Sequence, residues 1–332
     1  MAKTDNIVIS SRIRFARNIN NLPFPQKLVG NEPKLKELFD TVKEVCDSKF
    51  KNSLYYIPKL KNLDANVLIE NHLISPLLCK SEYGGVVLSA DKTISVMINE
   101  EDHLREQCIL QGYALDDAYK KLLDIDKALR GKLDIAFKEG YGHLTACPTN
   151  LGAGMRASVM MFLPALTMTH TIDAIIRKMN DHGVAIRGVY GEGSTADGYM
   201  YQVSNQAAVG RSEQEILNIV KSVVEKLCDM EEQNRSLLLS RRGIDLEDEI
   251  MRAYGTLLFA KKISSQEFMR NIAMVKLGVD YGFIKQDIKV LNKLVTDTQK
   301  NTLCYNVGKE LSVSDRDIYR SRLVRETLTK KA

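Results

Sequence analysis

Three carboxylates in a row, Glu100, Glu101 and Asp102, follow an apolar run that ends at Ile98. Adjacent carboxylates repel, so the triplet calls for a neighbouring cation: a basic side chain, a metal ion or a positively charged substrate. The arginines are spaced to answer it. Arg12 and Arg14 alternate, which places both on one face of a strand. Arg105 follows the triplet, Arg156 ends the run CPTNLGAGMR, and Arg187 precedes a loop rich in glycine. Each arginine is a permanently charged planar fork that binds phosphate oxygens bidentately, and a set of them suits a triphosphate. The acidic triplet would then orient a cationic acceptor or hold Mg²⁺ through water.

Other chemistries find little support. There is no GxxxxGK[ST] run and no pairing of a Gly-rich loop with HRD and DFG, which excludes P-loop NTPases and ordinary protein kinases. The five histidines, at 72, 103, 143, 170 and 182, show no paired metal spacing, and the six cysteines stand far apart without a CxxC pair. Free thiols of this kind suit a reducing cytoplasm. A net charge of +5 spread over 332 residues gives no basic stripe for nucleic acid. No segment approaches the roughly 20 apolar residues of a membrane span, and the opening MAKTDNIVIS lacks the apolar core of a signal peptide. The expectation is a soluble cytoplasmic chain.

The elements that must position these residues follow from periodicity. A first strand is expected over 6–19, read as an edge strand with a polar outer face. A hairpin over 84–98 turns at Asp91 and Lys92 and delivers the acidic triplet to a strand end. Residues 104–130 carry helical spacing. A second hairpin spans 183–205 around glycines 191, 193 and 198. Ser212 and Glu215 form a capping box for a helix to about 232, and four helical patterns follow: 246–260, 265–276 behind Ser264 and Glu267, 286–298, and 314–329. This predicts an α+β domain over residues 1–232 followed by an all-helical domain over 233–332.

Four blocks, SSRIRFAR (10–17), NEEDHLR (99–105), CPTNLGAGMR (147–156) and RGVYGEG (187–193), resemble in order and spacing those of the phosphagen (guanidino) kinases, which include creatine and arginine kinase. The resemblance covers about residues 7–232. It does not include the N-terminal helical domain of those enzymes. With HLISP (72–76), RDIYRS (316–321) and the helical tail, the arrangement is similar to the bacterial protein arginine kinases, which phosphorylate arginine side chains of other proteins.

The resemblance implies a phosphagen-kinase-type catalytic domain, an antiparallel sheet flanked by helices, that uses ATP and Mg²⁺. It assigns Glu101 to positioning and deprotonating the acceptor guanidinium, Glu192 to a second substrate carboxylate and Cys147 to a reactive thiol of the substrate site. Arg12, Arg14, Arg105, Arg156 and Arg187 match the phosphate-binding arginines. Ser10, Ser11, Ile13 and His72, the run Ala157, Ser158, Val159 and Met160, and Gly188, Val189, Tyr190 and Gly191 match the nucleotide-binding shell. Met160 stands where creatine kinases carry a histidine near the adenine. Glu100 and Asp102 would lie near Mg²⁺ through waters. In the tail, Arg316, Asp317, Arg320 and Ser321 match a phosphoarginine pocket that regulates activity allosterically, with Ser321 replacing the family's alanine.

The implied partners are protein substrates with exposed arginines, among them a heat-shock repressor and unfolded proteins, together with a zinc-containing activator protein and a Clp unfoldase and protease. Nucleic acid and membrane are not among them, and the helical tail is compatible with a homodimer. Two other functions stay open at this stage: a kinase of free arginine or another small guanidino compound, and an inactive adaptor that binds phosphoarginine.

Overall fold

The computed structural model describes residues 6–27, 32–189 and 197–329. In chain order, strand β1 (Val8–Arg17) leads to helix α1 (Glu32–Lys49), strand β2 (Asn52–Tyr56) and helix α2 (Asn62–Glu70). Strands β3 (Gly85–Ser89), β4 (Ile94–Ile98) and β5 (Leu104–Gln111) follow, then helix α3 (Leu115–Arg130) and a small hairpin of β6 (Phe137–Lys138) and β7 (Gly142–His143). Next come strand β8 (Met155–Phe162), helices α4 (Pro164–Met168) and α5 (Ile172–Asp181), and strands β9 (Val184–Gly188) and β10 (Met200–Asn205). Eight strands join one antiparallel sheet in the order β2-β3-β4-β5-β1-β8-β10-β9.

The two faces of this sheet divide the work. Ile13, Phe15, Ala157, Val159, Val203 and Ile186 point to one face and are buried with Val42, Leu122 and Val220 of the covering helices. The alternate residues of the same strands are largely polar and face the other way, as period-2 geometry requires. The hairpins over 84–98 and 183–205 form as the sequence predicts, β3 against β4 and β9 against β10.

Three expectations change. β1 is central in the sheet, between β5 and β8, and not an edge strand. Its polar residues face a cleft instead of bulk solvent. Residues 104–111 are strand β5, with helix starting only at Leu115. Leu104 and Cys108, four apart, mimic helical spacing because Glu106 between them is a polar residue in the core. The capped helix does not stop at 232: α6 runs from Glu213 to Phe259 with a break at Gly243, whose φ of 37° and ψ of −112° suit only glycine.

Ser212 caps α6 with the reciprocal bond to Glu215 that the sequence predicts. Helices α7 (Ser265–Asp280), α8 (Ile288–Asp297), α9 (Lys300–Val307) and α10 (Val313–Thr329) follow, and α7, α8 and α10 pack a second apolar core with the far half of α6, through Leu246, Ile250, Phe268, Ile272, Leu291 and Val324. Two polar joints, one buried and one half-buried, fasten this helical region to the sheet domain. Arg235 of α6 donates to Glu231 at 2.8 Å and to Asp280 of α7 at 2.6 Å, while Glu231 accepts from the backbone of Ala165 and Leu166 at the start of α4. Glu70 of α2 caps α9, accepting four bonds of 2.7–2.8 Å from the backbone and side chains of Asn301 and Thr302.

Candidate active site

Register brings the arginines onto one face. Arg14 lies opposite Arg156 on β8 and Gln107 on β5; Arg12 lies opposite Ser158 and Ile109; Arg105 lies opposite Ala16; and Arg187 lies opposite Gln202 on β10, itself opposite Met160. Directly opposed residues share a face, so Arg12, Arg14, Arg105, Arg156 and Arg187, which are spread over 176 positions of sequence, line a single surface. The third arginine of the SSRIRFAR run, Arg17, has the opposite parity. It is fully buried against Asp126 of α3 at 2.8 Å.

Such a concentration of like charge is electrostatically costly without an anion. Burial, and then the positive charges of Arg105 and Arg156, push the Arg12 guanidinium down to about 10. Arg14 is lowered further in the same sense, by burial and then by Arg12, Arg105 and Arg156, with only Glu100 opposing. Arg156 is lowered by burial and by Arg187 and Arg105. Few protein acceptors quench the row: Arg12 donates to Ser158 Oγ at 3.3 Å and Arg156 to Ser204 Oγ at 3.0 Å. The Nε atoms of Arg14 and Arg156 are buried without a hydrogen-bond partner among the described residues. A polyanion would satisfy all of them.

The acidic triplet sits on the tight β4–β5 connection. Asn99 takes φ of 56°, which asparagine tolerates better than most residues, and its N–H closes the loop on His103 O at 2.9 Å. The three carboxylates then part company. Glu100 is buried, accepts from Arg105 Nη1 at 2.5 Å and is hydrogen-bonded by Ser75 Oγ. Burial alone would raise its pKa, but the charge and hydrogen bonds of Arg105 with the Ser75 bond outweigh that and lower it. Asp102 is also buried and accepts from Asn18 Nδ2 at 2.6 Å and Ala146 N at 2.7 Å, clamping the 144–147 segment beside β1. Glu101 is half-exposed and lines a cavity of about 120 Å³ with Arg14, Arg105, Arg156, Cys147 and Asn150. Burial, then Asp102 and Glu100, hold its carboxyl above the usual carboxylate range, with Arg105 opposing. So the outer two carboxylates are held by hydrogen bonds to the protein, Asp102 at the wall of that cavity, and the middle one is the half-exposed carboxylate within it.

Cys147 sits at the rim of that cavity, its Sγ 3.0 Å from Thr149 Oγ1. His72, with φ of 59°, is pinned to the sheet by Gln107 Nε2, which donates to its carbonyl at 2.7 Å. Burial and the nearby Arg12 lower its pKa and keep the ring neutral. Ser10, Arg12, His72, Ser158, Met160 and Val189 together line a further small cavity along the same face. Gly188 ends β9 opposite Tyr201.

Other expected nucleotide residues are placed differently. The side chains of Ser11, Ile13, Ala157 and Val159 have the opposite parity and lie in the helix-covered core, where Ser11 Oγ donates to Gly112 O at 2.8 Å. They carry the face without belonging to it. Tyr190, Gly191 and Glu192 lie outside the described residues. In the tail, Arg320 is buried and donates to Asp317 at 2.7 Å, Ile263 O at 2.9 Å and Thr298 O at 3.2 Å, while Ser321 Oγ donates to Lys261 O at 2.6 Å. Arg316 and Asp317 stay half-exposed on α10, with Arg316 Nη1 bonded to Leu311 O at 2.9 Å. The sequence reading missed Asn18, Ser75, Gln107 and Ser204; only Ser75, within HLISP, fell in a quoted block.

The described residues contain no cluster of three histidine, cysteine or acidic side chains able to hold a metal. Glu100 Oε1 and Asp102 Oδ1 accept from the protein while Glu100 Oε2 is buried without a partner among the described residues, and two such carboxylates without a third ligand do not make a direct protein cage for Mg²⁺. The ion would arrive on the nucleotide's phosphates, as Mg²⁺ commonly does.

Comparison with known proteins gives the chain's relatives. Residues 34–234 match the ATP:guanido phosphotransferase C-terminal catalytic domain, and residues 243–332 match the protein-arginine kinase McsB C-terminal domain. The protein-arginine kinase of Halothermothrix orenii is 41% identical over 327 residues, covering 97% of this chain and 93% of that one. That of Bacillus subtilis is 41% identical over 329 residues, covering 97% and 90%. Among solved structures, lombricine kinase aligns with a TM-score of 0.59 at 26% identity over 69% of this chain and 67% of that one. The duplicated taurocyamine kinase from Schistosoma mansoni, with bound transition-state analogue components, gives 0.62 at 21% identity over 85% and 47%. At that identity the likeness concerns the fold alone.

Proposed function

The chain belongs to the protein-arginine kinases, a branch of the ATP:guanido phosphotransferases, and from that premise we propose how its residues carry out transfer to arginine side chains of proteins. The observation that carries the reading is the row of arginines on one sheet face with Glu101 at its end. The triphosphate lies along the row, its γ-phosphoryl toward Arg14, Arg105 and Arg156. These forks bind the phosphoryl oxygens and neutralise charge that spreads over them during transfer.

The acceptor guanidinium enters the cavity beside Glu101. A guanidinium with a pKa above about 12 is a poor nucleophile until it is aligned and sheds a proton. Glu101 takes that proton as one guanidino nitrogen forms a bond to the γ-phosphorus, and the bond to the bridging oxygen breaks with its electron pair leaving on ADP. The raised pKa of Glu101 suits it to a base, with Arg105 the cation that opposes the rise. Cys147, on the same rim, would contact the acceptor. Mg²⁺ on the phosphates would supply further charge neutralisation.

The resemblance in the tail supports regulation by phosphoarginine at Arg316 and Asp317, with Arg320 and Ser321 framing the site. It also supports an enzyme of the stress response, with a heat-shock repressor and unfolded proteins as substrates, a zinc-containing activator, and a Clp unfoldase and protease acting on the product. The test is to give the protein Mg-ATP with free arginine or with an arginine-rich unfolded protein and to follow acid-labile phosphate by mass spectrometry at neutral pH. Phosphate on protein arginines is expected; phosphate on free arginine alone would make it a small-molecule guanidino kinase, and none on either would favour an adaptor.

A further inference from the structure

Beyond the small cavities of the arginine row, the same sheet face opens into a larger one of about 640 Å³. This lies within the roughly 300–1,000 Å³ of small-molecule sites. One wall is the sheet and the loop after α2: Ile9, His72 and Met160. The other wall is the helical C-terminal region, in which Lys276 of α7 and Asn292 and Thr296 of α8 line the space. Asn292 and Thr296, with Lys289 and Lys293, form one i, i+3, i+4, i+7 face of α8, so the helix presents a whole side to the cavity.

The direction along the cleft is set by its ends. Glu101 and Cys147 mark the transfer end beside Arg14; moving along β1 through Arg12 to Ser10 covers about 13 Å at strand rise and reaches His72 and Met160, which line both the small cavity and the large one. What continues past the phosphates at that end is the nucleoside. The mixed lining suits one: aliphatic and thioether surfaces for the base, amide and hydroxyl groups for its edge and the ribose. The cavity is also built, not a loose gap between bodies. Glu70, itself on its wall, caps α9 through four hydrogen bonds, and Lys276 Nζ stands 4.1 Å over the ring of Phe162 at the end of β8.

We propose that α7 and α8 supply one wall of the nucleoside site, so that the adenosine of ATP is held between the catalytic sheet and the helical C-terminal region. This rests on the ATP reading above. It makes the C-terminal region part of the kinase's substrate site and ties nucleotide binding to the joint that Glu70 fastens.

The test compares Mg-ATP with Mg-tripolyphosphate, which has the phosphates and no nucleoside, by isothermal titration to the full chain. Thr296→Trp fills the cavity, and Asn292→Ala removes an amide without adding bulk; a melting curve for each shows that it folds. The expected result is that Thr296→Trp weakens ATP at least roughly tenfold and Asn292→Ala severalfold, with tripolyphosphate binding unchanged in both. Unchanged ATP binding in a folded Thr296→Trp would overturn the proposal, as would equal weakening of both ligands, which would place phosphate in the cavity. If the unmutated chain bound neither ligand, the ATP reading itself would fail, a result distinct from either.

Discussion

Glu101 is the residue on which the chemistry turns, because Glu100 is held by Arg105 and Ser75, and Asp102, though it also lines the cavity, is buried and held by Asn18 and Ala146, whereas Glu101 is half-exposed there. Glu101→Gln keeps the shape and removes the base. It should lower the transfer rate roughly 10²–10⁴-fold while ATP affinity stays within about threefold, measured by single-turnover kinetics beside titration. The pH dependence has a definite sign. A carboxyl whose pKa is raised gains its proton at a higher pH than an ordinary one, so activity should fall with acidification on a limb above the usual carboxylate value, and that limb should be lost in Glu101→Gln. A buried charge, Lys276, works on stability. Burial pushes Lys276 down to about 7 from 10.5, opposed by Asp280. Between those values the unfolded chain binds more protons than the folded one, so this group makes the protein more stable as pH rises from 7. Lys276→Met should therefore stabilise, by about 1 kcal/mol at pH 6 and less at pH 9, seen in denaturant melts at both.

At the scale of elements, strands that are β-branched runs bounded by a turn were legible and those with polar core residues were not. The 84–98 hairpin and the cap at Ser212 were readable because turn chemistry and capping are local. Strand β5 was misread since Glu106 occupies a core position that pattern reserves for an apolar residue. The length of α6 was hidden for a similar reason: Glu231 and Arg235 read as surface, yet they are buried and pair with each other four residues apart. The break that does exist is at Gly243, where a left-handed φ of 37° excludes side chains although no atom crowds a Cβ. Gly243→Ala should cost about 1–2 kcal/mol in a chemical melt, from backbone strain alone. An unchanged midpoint would mean that the helix straightens.

In the whole molecule the site is a product of long-range pairing. The arginines could be listed from sequence, and their motifs named the family, but nothing local shows that β1 lies between β5 and β8 and so gathers Arg105 and Arg156 beside Arg14. The polar joint at Glu70 was equally invisible, because its partners Asn301 and Thr302 are more than 230 positions away. Glu70→Ala should lower stability by roughly 1–3 kcal/mol, since it leaves the start of α9 without its carboxylate cap. The most direct measurement of the central claim sets the unmutated protein against Glu101→Gln with Mg-ATP and an unfolded arginine-bearing protein, reading phosphoarginine by mass spectrometry at neutral pH. Phosphoarginine from the first and essentially none from the second is the predicted result; equal yields from both would contradict the role given to Glu101 and with it the mechanism.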